Sequence, residues 1–415
     1  MHNNHKAPLL LTIWFLGAFF FFCEYFLRVS PSVMLPELAK KYSISSIGLG
    51  TLSACFYYPY IFMQIPVGLI TDKFGPQRIM ALASFFTGAA CLLFALSDSF
   101  ACSLIARMLM GFCGAFAFVG TLRIAINFFT PNVFSILTGI TQGMGMLGAV
   151  VGEAPMILYI SIVGVEATML SFSLLFFILA ALILVMTRKA MHYKTYKVGD
   201  NKHVFNFSVI RTIVSSKALW LNCLFIGFLY GPTTVFAEMW GATFTKSYRM
   251  LSETEAAFTV SLIFLGMVFG CILFGLLSSK LKALSLMRVS AFSSLMLITM
   301  IVYMPNINSL MLKIIYFSYG ICNSGIIPSY HRSALLVPKE FSGIALGITN
   351  MFSVLLGAVC IQVVGFLINM IGVENSVEYN IYSSVSYQKV FIMLLTSFVI
   401  CLILSCFMKD RKNIR

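Results

Sequence analysis

The chain has 415 residues, of which 60% are hydrophobic and only 10% charged, with a mean hydropathy of +0.94. Soluble domains carry about 25% charged residues, so a soluble enzyme, a nucleic-acid-binding domain and a disordered protein are excluded. The long, continuous apolar runs also argue against an outer-membrane barrel, whose strands alternate over ~10 residues. The net charge of +14 would point to nucleic acid in a soluble protein, but in a polytopic membrane protein it is the cationic bias of cytoplasmic loops.

In chain order, Met1 to Pro8 is short and polar, and the run after it reads as a first transmembrane helix, not a removed signal peptide. Twelve apolar segments follow one another at 9–36, 47–71, 79–97, 101–127, 133–160, 164–187, 218–244, 256–279, 287–304, 310–336, 342–371 and 389–408. Lipid offers no partner to unpaired backbone groups, so each must be a helix. The expected fold is all-α and membrane-embedded, with a six-helix half over 1–187, a linker over 188–217 and a second half over 218–415. The linker holds seven Lys or Arg against one acid, Asp200. With the N-terminus inside, Lys73, Arg78, Lys280, Lys282, Arg288, Arg332 and Lys339 share its face, which predicts both termini in the cytoplasm. The 11 Cys include no CxxC pair and most stand in apolar runs, so neither a disulfide framework nor a metal site or other cofactor is expected.

The halves repeat. Gly139-Ile140-Thr141-Gln142 recurs as Gly347-Ile348-Thr349-Asn350, and Leu147-Gly148-Ala149-Val150 as Leu356-Gly357-Ala358-Val359. Gly68-Leu69 with Lys73 recurs as Gly275-Leu276 with Lys280, and Arg123 matches Arg332, all at offsets of 207 to 209. Duplicated six-helix halves place a site between repeats near the bilayer midplane and expose it by rocking.

After the second segment the chain reads Gly68-Leu69-Ile70-Thr71-Asp72-Lys73-Phe74-Gly75-Pro76-Gln77-Arg78. This resembles the signature loop of the major facilitator superfamily, and Arg107 with Gly111 and Gly114 resembles the family's fourth-helix motif. The resemblance covers essentially the whole chain. It implies a secondary transporter working by alternating access, not an enzyme. It also implies a cytoplasmic gate of Gly68, Asp72, Lys73, Gly75, Arg78 and Arg123. Asp72 is expected at the N-terminus of a helix beginning at Ser342-Gly343, where the dipole favours a carboxylate, with Arg123 as its partner. In the second half Ser279 replaces the acid, so the latch is expected on one side only.

Ionisable residues inside spans cost ~2.5–3.5 kcal/mol each and need a partner or a cavity. Helix one holds Glu24 and Arg28, helix four Arg107 and helix five Glu153. Counted along the helices at ~1.5 Å per residue, Arg28, Arg107 and Glu153 lie at similar depth and Glu24 about one turn nearer the cytoplasm, so two acids with two bases are expected to form one neutral network. Three readings stay open: an acid as proton carrier, with Glu24 first; an Arg as anchor for a substrate carboxylate, with Arg28 first; or a structural salt bridge. Tyr57, Tyr230 and Asn323 are further candidates for the solute pathway, against a reading as packing residues. Glu238, near the outer end of helix seven, reads as a cavity acid or an interfacial residue.

The string Glu24-Tyr25-Phe26-Leu27-Arg28-Val29-Ser30-Pro31-Ser32 is similar to bacterial members related to the lysosomal dipeptide-transporter branch. That resemblance implies proton-coupled import of a small organic solute such as an amino acid or short peptide. Efflux of a drug or siderophore on the same fold, and a polytopic sensor or scaffold, are the rival readings. The expected setting is a monomer in the inner (plasma) membrane, with lipid, protons and a small-molecule substrate as partners and no nucleic acid.

Overall fold

A computed structural model describes residues 6–42, 46–152, 154–192, 215–338, 341–372 and 384–409. Glu153 and most of the linker lie outside the described residues. The chain forms two compact units, Met1–Ser216 with Val337–Ile348, and Lys217–Leu336 with Thr349–Arg415.

The first unit contains α1 (Lys6–Tyr42), α2 (Ser46–Phe74), α3 (Pro76–Leu96), α4 (Phe100–Phe128), α5 (Pro131–Gly152) and α6 (Ala154–His192). The second contains α7 (Lys217–Val235), a π-helical turn (Phe236–Trp240), α8 (Gly241–Arg249), α9 (Glu253–Ser278), α10 (Ala283–Tyr303), α11 (Ser309–Asn323), α12 (Ile326–Leu335) and α14 (Ser384–Phe407). Helix α13 (Ser342–Gly372) gives its first residues to the first unit and the rest to the second. Among the described residues, eleven helices are long and apolar enough to cross a membrane, and twelve if the bent α2 counts as one span. This agrees with the all-α, twelve-segment reading.

Local chemistry sets the breaks. The two parts of α2, Ala54–Gln64 and Pro66–Phe74, meet at 55°, because a proline cannot donate to the helix ladder. Between α2 and α3, Gly75 adopts φ 84 with Pro76 at the next helix start, a conformation open to glycine at little cost. Gly164 (φ 79) interrupts α6 where two spans were separated in the sequence. Ser252 and Asn308 cap α9 and α11 by accepting from the Glu255 and Met311 N–H groups.

The same helix pairings recur in both units. In the first, α1 packs on α5, α2 on α4 and α3 on α6. In the second, α7 meets the distal part of α13, α9 packs on α11, and α10 on α14. Glycines make the approaches close: Gly111 lies on the Phe56 carbonyl, and Gly320 on that of Ile263. Without aqueous driving force between helices, such backbone proximity carries much of the association. Gly111→Ala is therefore expected to destabilise the purified protein by ~1–3 kcal/mol through overpacking. Gly231→Ala, whose added carbon would meet nothing nearer than 3.7 Å, should leave the thermal midpoint almost unchanged. Equal shifts for both would contradict the packing argument.

Candidate functional site

Glu24 and Arg28 stand one turn apart on α1, 1% and 5% exposed. Four-residue spacing puts them on one face, and Arg28 reaches back so that Nη2 and Nε donate to Glu24 Oε1 at 2.7 and 3.2 Å. The guanidinium lies 4.3 Å from the Tyr25 ring centroid and 4.5 Å from that of Tyr60. Phe56 and Tyr57 stand further off, at 5.9 and 6.0 Å. Ring faces attract a cation, more strongly when water is excluded. Arg28 is thus held by a carboxylate and an aromatic cage, which gives Tyr57 a place in the site.

Arg107 of α4 is 2% exposed. Its Nη1 donates to the Leu27 carbonyl at 2.8 Å, and its guanidinium carbon is 4.9 Å from the Phe56 ring. Its Nε and Nη2 have no hydrogen-bond partner among the described residues, and neither does Glu24 Oε2. Gly114, one turn beyond Gly111, faces the Glu24 side chain at a distance that leaves no room for a β-carbon. The glycines of this motif therefore let α4 approach both α1 and α2. Glu24, Arg28 and Arg107 together carry a net charge of +1. Glu153, the acid expected to bring the network to neutrality, lies outside the described residues.

The second cluster of the first unit is built on the loop after α2. Asp72 Oδ1 is 2.6 Å from Arg123 Nε, and Arg123 Nη1 donates to the Ser342 hydroxyl. The Gly343 backbone lies directly over both the Asp72 carboxylate and Gly68, so neither glycine position has room for a side chain. Asp72 thereby sits at the N-terminus of α13, where unpaired N–H groups favour an anion. Lys73 and Arg78 are exposed, with the Lys73 amine 5.0 Å from the neighbouring Phe74 ring. In the second unit Arg332 donates to the Lys409 carbonyl at 2.9 Å, and Ser279 to Leu276. Position 279, which corresponds to Asp72, is a serine.

The second unit groups neutral polar residues. Asn323 donates to the Leu229 carbonyl at 3.0 Å and accepts from Thr233 at 2.9 Å, and Thr233 also pairs with Tyr319. This network fastens the end of α11 to α7 beside the Gly231-Pro232 pair. Asn222, Ser333 and Thr349 form a second buried group. Sequence reading singled out Asn323 but not its partners Thr233 and Tyr319, nor the Asn222 group, because uncharged side chains in an apolar run carry little signal of cost. Tyr230 donates to Glu238 Oε1 at 3.1 Å.

The family model described as Major Facilitator Superfamily matches residues 14–360. The chain is similar to a probable sulfoacetate transporter of Cupriavidus necator, at 24% identity over 374 residues, covering 85% of this chain and 86% of that protein. It is similar to a probable galactarate/D-glucarate transporter of Escherichia coli, at 24% over 391 residues, covering 84% of each. A nitrate/nitrite transporter of Picosynechococcus sp. matches at 28% over 156 residues, covering 38% of this chain and 28% of that protein. Among solved structures, the Escherichia coli fucose:proton symporter aligns with a TM-score of 0.69 at 13% identity, covering 97% of this chain and 100% of that one. At that identity the likeness is one of fold.

Proposed function

This chain belongs to the Major Facilitator Superfamily, and we propose that, as a transporter of that family, it imports a small organic anion together with protons by alternating access. The observation that carries this reading is the free edge of Arg107. Nε and Nη2 lie side by side on the guanidinium, a two-donor fork that matches a carboxylate or sulfonate. Both are buried and unpartnered while Nη1 is tied to Leu27. Leaving such donors unmet costs about 1–3 kcal/mol or more, and an anionic ligand removes that cost. Arg28 is already occupied by Glu24, so Arg107 is the better anchor.

Glu24 supplies the coupling. Its Oε1 holds Arg28, and its Oε2 is the open atom to which a proton adds. Protonation removes the charge that retains Arg28 and raises the cluster from net +1 to net +2. The anion then binds more tightly, and by reciprocity proton and anion favour each other. An inward proton gradient suffices as driving force, since one charge is worth ~2.3 kcal/mol per 100 mV. The substrates named for the three sequence relatives above are oxyanions, which supports the class chosen here. We assign Asp72, Arg123 and Ser342 to a cytoplasmic latch that releases the N-terminus of α13 during the cycle. The loop charges support a membrane orientation with both termini cytoplasmic.

The test is uptake into proteoliposomes under an acid-outside gradient. Labelled glucarate, sulfoacetate and nitrate are compared with amino acids and dipeptides. Wild type is expected to concentrate at least one anion, and Glu24→Gln only to equilibrate it. Accumulation confined to amino acids and dipeptides, or net extrusion of every compound carried, would overturn anion import.

A further inference from the structure

We propose that Phe56 is a positioning residue of the anion site, whose ring keeps the Arg107 fork from closing on the open oxygen of Glu24. The proposal rests on the anion-import reading above and deepens it.

Arg107 Nε and Nη2 are buried donors without a hydrogen-bond partner among the described residues, and Glu24 Oε2 is a buried acceptor in the same state. The two side chains act on each other electrostatically, and opposite charges attract strongly where the dielectric is low. Among the described residues no ion pair joins them, while Arg28 takes Glu24 Oε1 at 2.7 Å. Something must hold the fork and the open oxygen apart, and Phe56 stands where it is needed. The Arg107 guanidinium carbon lies over the Phe56 ring, 4.9 Å from its centroid. The tip of that ring, Cζ, is 3.5 Å from the point a β-carbon on Gly114 would occupy. Glu24 Cγ and Oε1 lie 2.9 and 3.5 Å from the same point. The ring thus runs from beneath Arg107 to the side of Glu24.

Phe56 cannot withdraw from this place. It is fully buried, and the Gly111 backbone of α4 presses on its carbonyl, with no room for a β-carbon between them. Tyr60 stacks beside the ring at 6.0 Å, and Tyr57 meets it edge-on at 5.8 Å. The ring face also attracts cations, Arg28 at 5.9 Å as well as Arg107, so Arg107 is stabilised by lying on it. One residue thereby keeps two open sites distinct: Glu24 Oε2 for the proton, and the Arg107 fork for the anion. A smaller, non-aromatic side chain removes the obstacle. Glu24 then acts as a tethered carboxylate that competes with the anion. Apparent affinity falls by the fraction of molecules in which the fork stays open.

Equilibrium binding of labelled glucarate, sulfoacetate and nitrate is measured on the purified full chain in lipid vesicles, at an alkaline pH that favours the Glu24 carboxylate. Phe56→Leu is expected to bind at least about tenfold more weakly than wild type. In a Glu24→Gln background the same substitution should cost less than about twofold, because no carboxylate is left to occupy the fork and the two changes couple. Equal effects in both backgrounds overturn the proposal and make Phe56 a packing residue. Infrared spectra with no anion present give a second reading. The Glu24 carboxylate bands, identified as those that Glu24→Gln removes, should shift in Phe56→Leu and return to the wild-type position when Arg107→Gln is added. Unshifted bands overturn the proposal. Phe56→Met, with an adaptable apolar side chain, takes the place of Phe56→Leu if that variant does not fold. A wild type that binds none of the three anions overturns the parent reading instead, and the infrared bands alone then decide the role of Phe56.

Discussion

Arg107→Gln is expected to abolish concentrative anion uptake, with an apparent affinity at least about 100-fold weaker than wild type. Two charge-assisted hydrogen bonds are lost, each worth ~1.5–3 kcal/mol, and a tenfold change corresponds to about 1.4 kcal/mol. Gln keeps a polar amide on α4 without the buried charge, and the Arg107 Nη1 bonds to the Leu27 carbonyl and the Met110 sulfur are the only hydrogen bonds among the described residues that it gives up, so the fold should survive. Arg107→Lys separates charge from geometry. It keeps the cation but loses the planar fork, and an affinity at least about tenfold weaker is expected. Competition by unlabelled anions against the labelled one measures both variants. If Arg107→Lys binds as tightly as wild type, the bidentate reading is wrong and a bare positive potential is enough.

The second large effect is expected at Asp72. Arg123 is 7% exposed and faces Asp72 and Ser342. Breaking a buried pair from one side leaves an uncompensated charge, at a cost of ~3–5 kcal/mol. Asp72→Asn should therefore lower the thermal midpoint sharply and release the first turn of α13, seen as faster hydrogen exchange at residues 342–346. The double variant Asp72→Asn with Arg123→Gln should recover part of the midpoint, because no buried guanidinium is left unpaired. A double variant less stable than the single would place the role of Arg123 elsewhere.

Much of the architecture was legible in one dimension. A span must be apolar for ~20 residues and must be helical, because lipid satisfies no backbone group. Composition therefore dictates the number and nature of the elements. Charges inside such runs are conspicuous because their cost depends little on where the helix points, which is why Glu24, Arg28 and Arg107 stand out. The loop from Gly68 to Arg78 is likewise a local pattern, and Gly75 with its positive φ is readable from residue type.

Helix rotation is a different matter. Each residue turns a side chain by about 100°, so a small change in packing decides which neighbours it meets, and packing is set by contacts distant in sequence. The aromatic cage of Tyr25 and Tyr60 around Arg28, the free edge of Arg107 and the grip of Asp72 on Gly343 all depend on it. So do the neutral partners of Asn323, Thr233 and Tyr319, which disturb the hydropathy of their helices too little to be seen. The π-helical turn around Glu238 has no residue signature of its own. Sequence by itself determined the membrane helices, their duplication and the buried charges, because the bilayer prices those features locally. The tertiary structure alone decided which guanidinium is spent and which is open, because hydrogen-bond partners come from other helices.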